Sequence, residues 1–262
     1  MMDTQLTYLG GATFLIEVGP FRILTDPGFD PDGTERSEGP GHELRKVMGP
    51  PVPADEIGRI DAVLLSHAQH YDNLDNTGKA KLPEWGRVLT TPDSARALGG
   101  NAEGLATWET VEITNDAGAT IRVTGMPAVH TNDPAIRDVV GETMGFLLEW
   151  EGQENGAFYI SGDTVWIDEI EEIGRRYDIS SGILHMGAAN VPAVGDVRLT
   201  MNGEEGARVT QTLGLESAFP AHFEGWLHYM EGRAGIETAF EAAGITDTLK
   251  ILDPGQTHSL RD

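Results

Sequence analysis

Apolar positions in the first part of the chain fall in short runs rather than at helical spacing. "QLTYLG" (Gln5 to Gly10), "TFLIEV" (Thr13 to Val18) and "FRILTD" (Phe21 to Asp26) carry β-branched and aromatic residues between Gly-rich or Gly-Pro breaks. The pattern predicts three strands in an antiparallel meander. From Pro27 to Pro53 it dissolves into glycine, proline and charge, closing on "GPPVP" (Gly49 to Pro53). A connection that long inside a compact domain is typically functional or mobile, and a lid is one role open to it. "IDAVLLS" (Ile60 to Ser66) is a short strand of the buried type. "RVLTT" (Arg87 to Thr91) and "TIRVTGMPAVH" (Thr120 to His130) predict further strands flanking a short helix around Ser94 to Leu98. "MGFLLEW" (Met144 to Trp150) and "AFYISGD" (Ala157 to Asp163) predict a hairpin across the polar turn "EGQENG".

Helical spacing enters in the second half. Ile167, Ile170 and Ile173 recur every third residue within "VWIDEIEEIGRRY" (Val165 to Tyr177), which predicts one helix with an apolar face. "NGEEGARVTQTLG" (Asn202 to Gly214) has an asparagine cap, an acidic first turn and a glycine stop. A third helix is predicted over Ala234 to Gly244. Strands are predicted at Gly182 to Gly187, Ser217 to His222 and Leu249 to Asp253. Strands first, then alternating strand and helix without repeats or a low-complexity linker, predict one α/β domain.

Composition narrows the chemistry. The chain has no cysteine among its 262 residues, so disulfides, thiolate nucleophiles and cysteine zinc sites are excluded. A metal would be held by histidine and carboxylate, which favours an open, catalytic type of site. Forty-two acidic residues against 18 basic ones give a formal charge of −24. Only Lys46, Lys79, Lys81 and Lys250 are lysines. Such a surface repels nucleic acid and anionic membranes. It suits either a high-salt cytoplasm or an ordinary acidic cytosolic enzyme. No apolar run approaches a membrane span and the N-terminus has no secretory pattern, so a cytoplasmic protein is expected.

The histidines share a context. His67 and His70 follow a predicted strand in "LLSHAQHYDNLD", His130 and His222 end strands, and Asp163 ends another in "YISGD". Strand ends in a layered α/β protein converge on one rim, where distant residues meet. Imidazole with carboxylate suits zinc, manganese or iron. His42 and His258 have no such context and are read as structural or surface residues.

The ordered set "YLGGATFLIE", "ILTDPGFD", "LLSHAQHYDNLD", "PAVH", "YISGDTVW", "ILHMGAA" and "FPAHFEGW" resembles the metallo-β-lactamase superfamily, in the branch that includes ascorbate-phosphate lactonases. The resemblance covers nearly the whole chain. It implies a four-layer αββα sandwich, a single domain over 1–262, with a metal site at one rim. The family's His-x-His-x-Asp-His loop, fitted on its aspartate, matches His70 and Asp72. Its first histidine falls on Ala68, one residue after His67, and its last becomes Asn73. By resemblance His67, His70 and His130 hold one metal. Asp163 bridges, and Asp72 and His222 complete a second set that Asn73 leaves one ligand short. One firmly held metal is expected, zinc first with manganese or iron as alternatives, and a second that is weak or absent. The competing reading is a dead site whose histidines only pack.

Other departures bear on roles. Gly11 stands where many relatives carry histidine. His185, in "ILHMGAA", is read as binding substrate, donating a proton or filling the place left by Asn73, or else as a buried, hydrogen-bonded imidazole. Asp26 is read as a turn-former that orients its neighbours, and Trp226 as pocket wall or core. The resulting expectation is a metal-dependent hydrolase of a small lactone, ester or phosphoester, with Asp72, Asp163 and His185 as catalytic residues. The alternative is a non-catalytic ligand-binding or sensor module. No Gly-x-Ser-x-Gly elbow or P-loop suggests a rival chemistry.

Overall fold

A computed structural model describes residues 3–37, 39–115, 118–153 and 155–260. Glu38, in the 27–53 connection, and Glu154, in the turn before Ala157, lie outside the described residues. The predicted meander is present: β1 (Thr4–Gly10), β2 (Thr13–Val18) and β3 (Phe21–Thr25) pair antiparallel in turn. The 27–53 connection contains a small hairpin of β4 (Glu35–Ser37) and β5 (Glu43–Arg45). There follow β6 (Ala62–Leu64), α1 (Asn76–Lys81), β7 (Arg87–Thr90), α2 (Pro92–Leu98), β8 (Ala102–Gly104), β9 (Thr110–Thr114), β10 (Thr120–Pro127) and α3 (Arg137–Val140). The remainder comprises β11 (Met144–Trp150), β12 (Ala157–Ile160), α4 (Glu169–Arg176), β13 (Ile179–His185), α5 (Gly203–Leu213), β14 (Ser217–Ala221), α6 (Arg233–Ala242) and β15 (Thr257–Leu260).

Two sheets carry the architecture. One has the order β15-β1-β2-β3-β6-β7-β8, and the other β14-β13-β12-β11-β10-β9. Side-chain alternation explains why the first is covered on both faces. Phe14, Ile16, Ile23, Ala62 and Leu64 join the core between the sheets, while Leu15, Leu24, Val63, Leu65 and Val88 join a second cluster with Leu74, Leu82 and Trp85. The parallel strands β3, β6 and β7 are accordingly buried on both sides. On the second sheet, Ile170 and Ile173 of α4, Val209 and Leu213 of α5, and Ile236 and Phe240 of α6 pack into the main core. The layering is the expected αββα order.

Two expectations change. The helix predicted from Val165 begins at Glu169, because the preceding residues are tied to the end of β10. Val165 N donates to Val129 O (3.0 Å), and Val129 N donates to Thr164 Oγ1 (3.0 Å). The strand predicted over Leu249 to Asp253 reduces to one bridge, Ala218 to Leu249. The next residue after that run is Pro254, which has no N–H to offer a ladder, and the edge strand forms later, as β15 against β1. The predicted hairpin of β11 with β12 and the capped helix α5 form, the latter with Asn202 accepting from Glu205 N (2.9 Å) and Gly214 in the left-handed region.

Candidate metal centre

The loops that follow β3, β6, β10, β12 and β14, together with the last residue of β13, meet at one rim. β12, β13 and β14 run parallel, and β10 runs the same way because both it and β12 are antiparallel to β11. Their C-terminal ends therefore deliver His130, Asp163, His185 and His222 together, and β3 and β6 deliver Asp26 and the His67 to Asp75 loop from the other sheet.

His67 Nε2 lies 3.0 Å from His70 Nδ1 and 3.2 Å from His130 Nε2. The three residues form a group that could hold a metal ion. Each outer nitrogen of His67 and His130 has a partner. His130 Nδ1–H donates to Leu199 O (3.1 Å), and His67 Nδ1 pairs with Ser66 Oγ (2.9 Å). Donation from Nδ1 leaves His130 Nε2 as a lone-pair donor, and His67 Nε2 is the same in the tautomer whose Nδ1–H donates to Ser66 Oγ. The single residue of extra spacing between His67 and His70 is absorbed in a turn. Ala68 N donates to Ser94 Oγ (2.9 Å), and Gln69 Nε2 donates to Glu142 O (2.6 Å), beyond α3.

A second group lies alongside. His222 Nε2 is 3.0 Å from Asp72 Oδ2 and 3.3 Å from Asp163 Oδ2. Asp72 Oδ2 also meets His228 Nε2 (2.9 Å) and accepts from Tyr229 OH (3.2 Å). His185 Nδ1 lies 2.6 Å from Asp163 Oδ1, and its Nε2 is 3.8 Å from Asp26 Oδ2. Asp26 Oδ1 in turn accepts from Ser66 N (2.7 Å). The close fit behind His222 requires glycine at 187, where a Cβ would lie 1.8 Å from His222 O.

Charge states separate the groups. Burial, with His130 and His70 as neighbours, holds His67 well below its usual range, and burial with His130 brings His70 down to about 3. Burial also lowers His130. The trio is neutral, the form in which imidazole ligates. Burial would raise Asp72 and Asp163, but His228 and His222 pull Asp72 below the carboxylate range, and His222 and His185 do the same for Asp163. Burial would lower His222, yet Asp163 and Asp72 carry it up to about 10. This pair of carboxylates holds a positive charge even when that charge is only a proton.

The donor set fits a metal. Two nitrogens at about 2.0–2.1 Å from a tetrahedral zinc stand about 3.3 Å apart, close to the separations of His67 Nε2 from His70 Nδ1 and His130 Nε2. The buried Nε2 of His222, which faces Asp72 and Asp163, has no hydrogen-bond partner of good geometry, a cost that coordination removes.

Most residues singled out from sequence meet here, with three refinements. His185 does not reach the cavity over the histidines and stands behind Asp163. Asn73 is fully buried, donates from Nδ2 to Ser66 Oγ (3.3 Å), and leaves its Oδ1 without a partner. Trp226 is core, packed edge-on to Tyr71 with ring centroids 5.9 Å apart. His42 lines the cavity, although nothing in its sequence context signalled it. Tyr229 and the contact of His228 with Asp72 were also invisible in sequence, since Asp72 lies 157 and 156 residues away from them. His258 packs on Phe219, apart from the site.

Comparison with known proteins identifies the family and the fold. Residues 21–223 match the family model described as the beta-lactamase superfamily domain. A UPF0173 metal-dependent hydrolase from Methanopyrus kandleri is 26% identical over 262 residues, covering 97% of this chain and 99% of the relative. One from Halobacterium salinarum is 27% identical over 268 residues, covering 98% and 99%. Among solved structures, isothiocyanate hydrolase from Delia radicum gut bacteria has a TM-score of 0.81 at 22% identity, covering 98% of this chain and 99% of that one. A metallo hydrolase from Ignicoccus hospitalis has a TM-score of 0.73 at 19% identity, covering 99% of each. At these identities the structural likeness is one of fold.

Proposed function

Since the chain belongs to the beta-lactamase superfamily, we propose that it is a metal-dependent hydrolase of a small lactone, ester or phosphoester. The reading takes residues 1–262 as a single domain. The observation that carries it is the trio of neutral imidazole nitrogens at 3.0 and 3.2 Å, with Asp163 Oδ2 3.9 Å from His67 Nε2. His67, His70 and His130 hold one metal, zinc first, with manganese or iron as alternatives. Asp72, Asp163 and His222 form the second set, which Asn73 leaves short, so a second metal is held weakly or not at all. When bound, such a metal lowers the pKa of water from about 15.7 to about 7 and polarises a carbonyl or phosphoryl oxygen.

The chain's own residues supply position and proton transfer. Asp163 Oδ2 and Asp72 Oδ2 are the carboxylate oxygens placed to take the proton that an attacking water gives up. His228 and Tyr229 donate to Asp72 Oδ2 and keep it ionised. His185 Nδ1–H holds Asp163 Oδ1, which leaves Oδ2 facing the cavity. His185 is therefore a positioning residue, because it touches Asp163 and not the substrate.

Elemental analysis after reconstitution with zinc, run beside a panel of lactones, esters and phosphodiesters, tests the proposal. We expect at least one metal per chain, its loss in His130→Ala with the fold kept, and turnover of one panel class. A chain that takes up no stoichiometric metal supports the alternative instead, a non-catalytic ligand-binding module, which Asn73 favours.

A further inference from the structure

The wall above the histidines differs in kind from the floor. A cavity of about 150 Å³ has His70, Asp72, His130, Asp163 and His222 at its base. Its sides include the imidazoles of His42 and His228 together with Leu44 from β5, Val139 and Val140 from α3, and Val191, Val194 and Leu199 from the connection between β13 and α5. Leu44, Val140, Val191 and Leu199 are nearly closed to solvent and belong to an apolar cluster separate from the two sheet cores. Three different segments thus contribute aliphatic side chains to one small chamber.

No lysine or arginine lines this cavity among the described residues. Lys46, two positions from Leu44, is turned away and buried on Asp75 Oδ2 (3.0 Å) and Gly28 O (2.9 Å). An anionic group placed against the aliphatic wall would lose water with no lysine or arginine beside it. The chain's charge of −24 adds a long-range penalty of the same sign. The volume is also restrictive. At about 150 Å³ it lies below the range of roughly 300–1,000 Å³ for sites that hold drug-sized ligands.

From this lining we infer that the substrate is a small uncharged molecule with a short aliphatic arm. Its electrophilic carbon sits at the histidines and its arm lies on the Leu44, Val140, Val191 and Leu199 wall. The inference rests on the metal-hydrolase reading and narrows it, favouring neutral lactones and esters over phosphoesters and carboxylate-bearing substrates.

Hydroxamates test the wall without requiring turnover, because their head group ligates the bound metal. Acetohydroxamate, butyrohydroxamate and succinic monohydroxamate are titrated calorimetrically into the zinc-loaded chain. Two extra methylenes on the wall tighten butyrohydroxamate about tenfold over acetohydroxamate. Succinic monohydroxamate, whose arm ends in carboxylate, binds at least about tenfold more weakly than butyrohydroxamate. Val139 is 79% exposed, so Val139→Arg leaves the fold intact while adding a cation at the wall. That variant should recover about tenfold for the carboxylate probe. A wild-type preference for the carboxylate probe, or equal affinity for all three, overturns the substrate class while leaving the metal site standing. Zinc loading that fails, with no hydroxamate bound, overturns the metal reading and this inference with it.

Discussion

His67 shows how a ligand depends on residues that never touch the metal position. Its Nδ1 is held by Ser66 Oγ, Ser66 Oγ accepts from Asn73, and Ser66 N is fixed on Asp26. Asn73, a departure from the family motif, thereby supports a ligand instead of serving as one. Partners that orient a metal-bound histidine contribute about 10–100-fold in metal affinity. Ser66→Ala is expected to weaken zinc binding by about that factor, measured by chelator competition, with an unchanged circular dichroism spectrum. Protonation gives a second expectation for the metal-free chain. His67, His70 and His130 have folded pKa values below about 6.5, so below that pH the unfolded chain takes up protons that the folded chain refuses. Stability should fall on acidification from about pH 6.5 toward 3 by up to about 1.4 kcal/mol per pH unit for each histidine. Asp26, raised by burial and Asp163, opposes part of this in the acid range. His222 has the opposite sign to the trio. Its stabilisation is complete below about pH 6.5 and lost as the pH rises through about 10. Urea titrations at stepped pH measure both limbs, and zinc should shrink the acid limb by holding the trio unprotonated.

At the scale of elements, the β4–β5 hairpin and the metal loop are joined by a buried ion pair. Lys46 reaches Asp75, which caps α1 through Gly78 N (2.9 Å) and accepts from Asp30 N (2.6 Å). Asp30 in turn receives Tyr71 OH and Thr77. The residues between His70 and Thr77 are thereby fixed from below. Removing one partner of a buried pair costs about 3–5 kcal/mol, so Lys46→Met should lower unfolding stability by about that amount, with Lys46→Met/Asp75→Asn recovering part of it. Sequence periodicity could not disclose this clamp. Lys46 sits in a stretch of glycine, proline and charge, and its worth depends on Asp75, 29 residues away. The meander β1–β3, the β11–β12 hairpin and α5 were legible because each is set by local alternation or by caps. Strand β8 and edge strand β15 were not, since "AEG" and "THSL" have no apolar alternation and form only against strands already in place.

For the molecule as a whole, two sheets whose strand ends share a rim explain why six ligand candidates spread from His67 to His222 converge. That convergence was readable in advance, because each candidate ends or follows an apolar run. The cavity wall was not, as it comes from three connecting segments whose valines and leucines look like any others. The charge of −24 acts at this scale too. Self-repulsion between exposed carboxylates is screened over about 10 Å at 0.1 M salt and about 3 Å at 1 M. Thermal midpoints should therefore rise by several degrees between 0.1 M and 2 M KCl, and indifference to salt would count against a halophilic setting. The histidine-bound metal is the claim on which the rest depends. Anomalous scattering at the zinc edge from crystals of the reconstituted chain, paired with elemental analysis, tests it directly. The expected result is one strong peak bounded by His67 Nε2, His70 Nδ1 and His130 Nε2, and a weaker peak or none among Asp72, Asp163 and His222. A folded, zinc-treated chain with no peak at the three histidines, or with its stronger peak at the carboxylates, would contradict it.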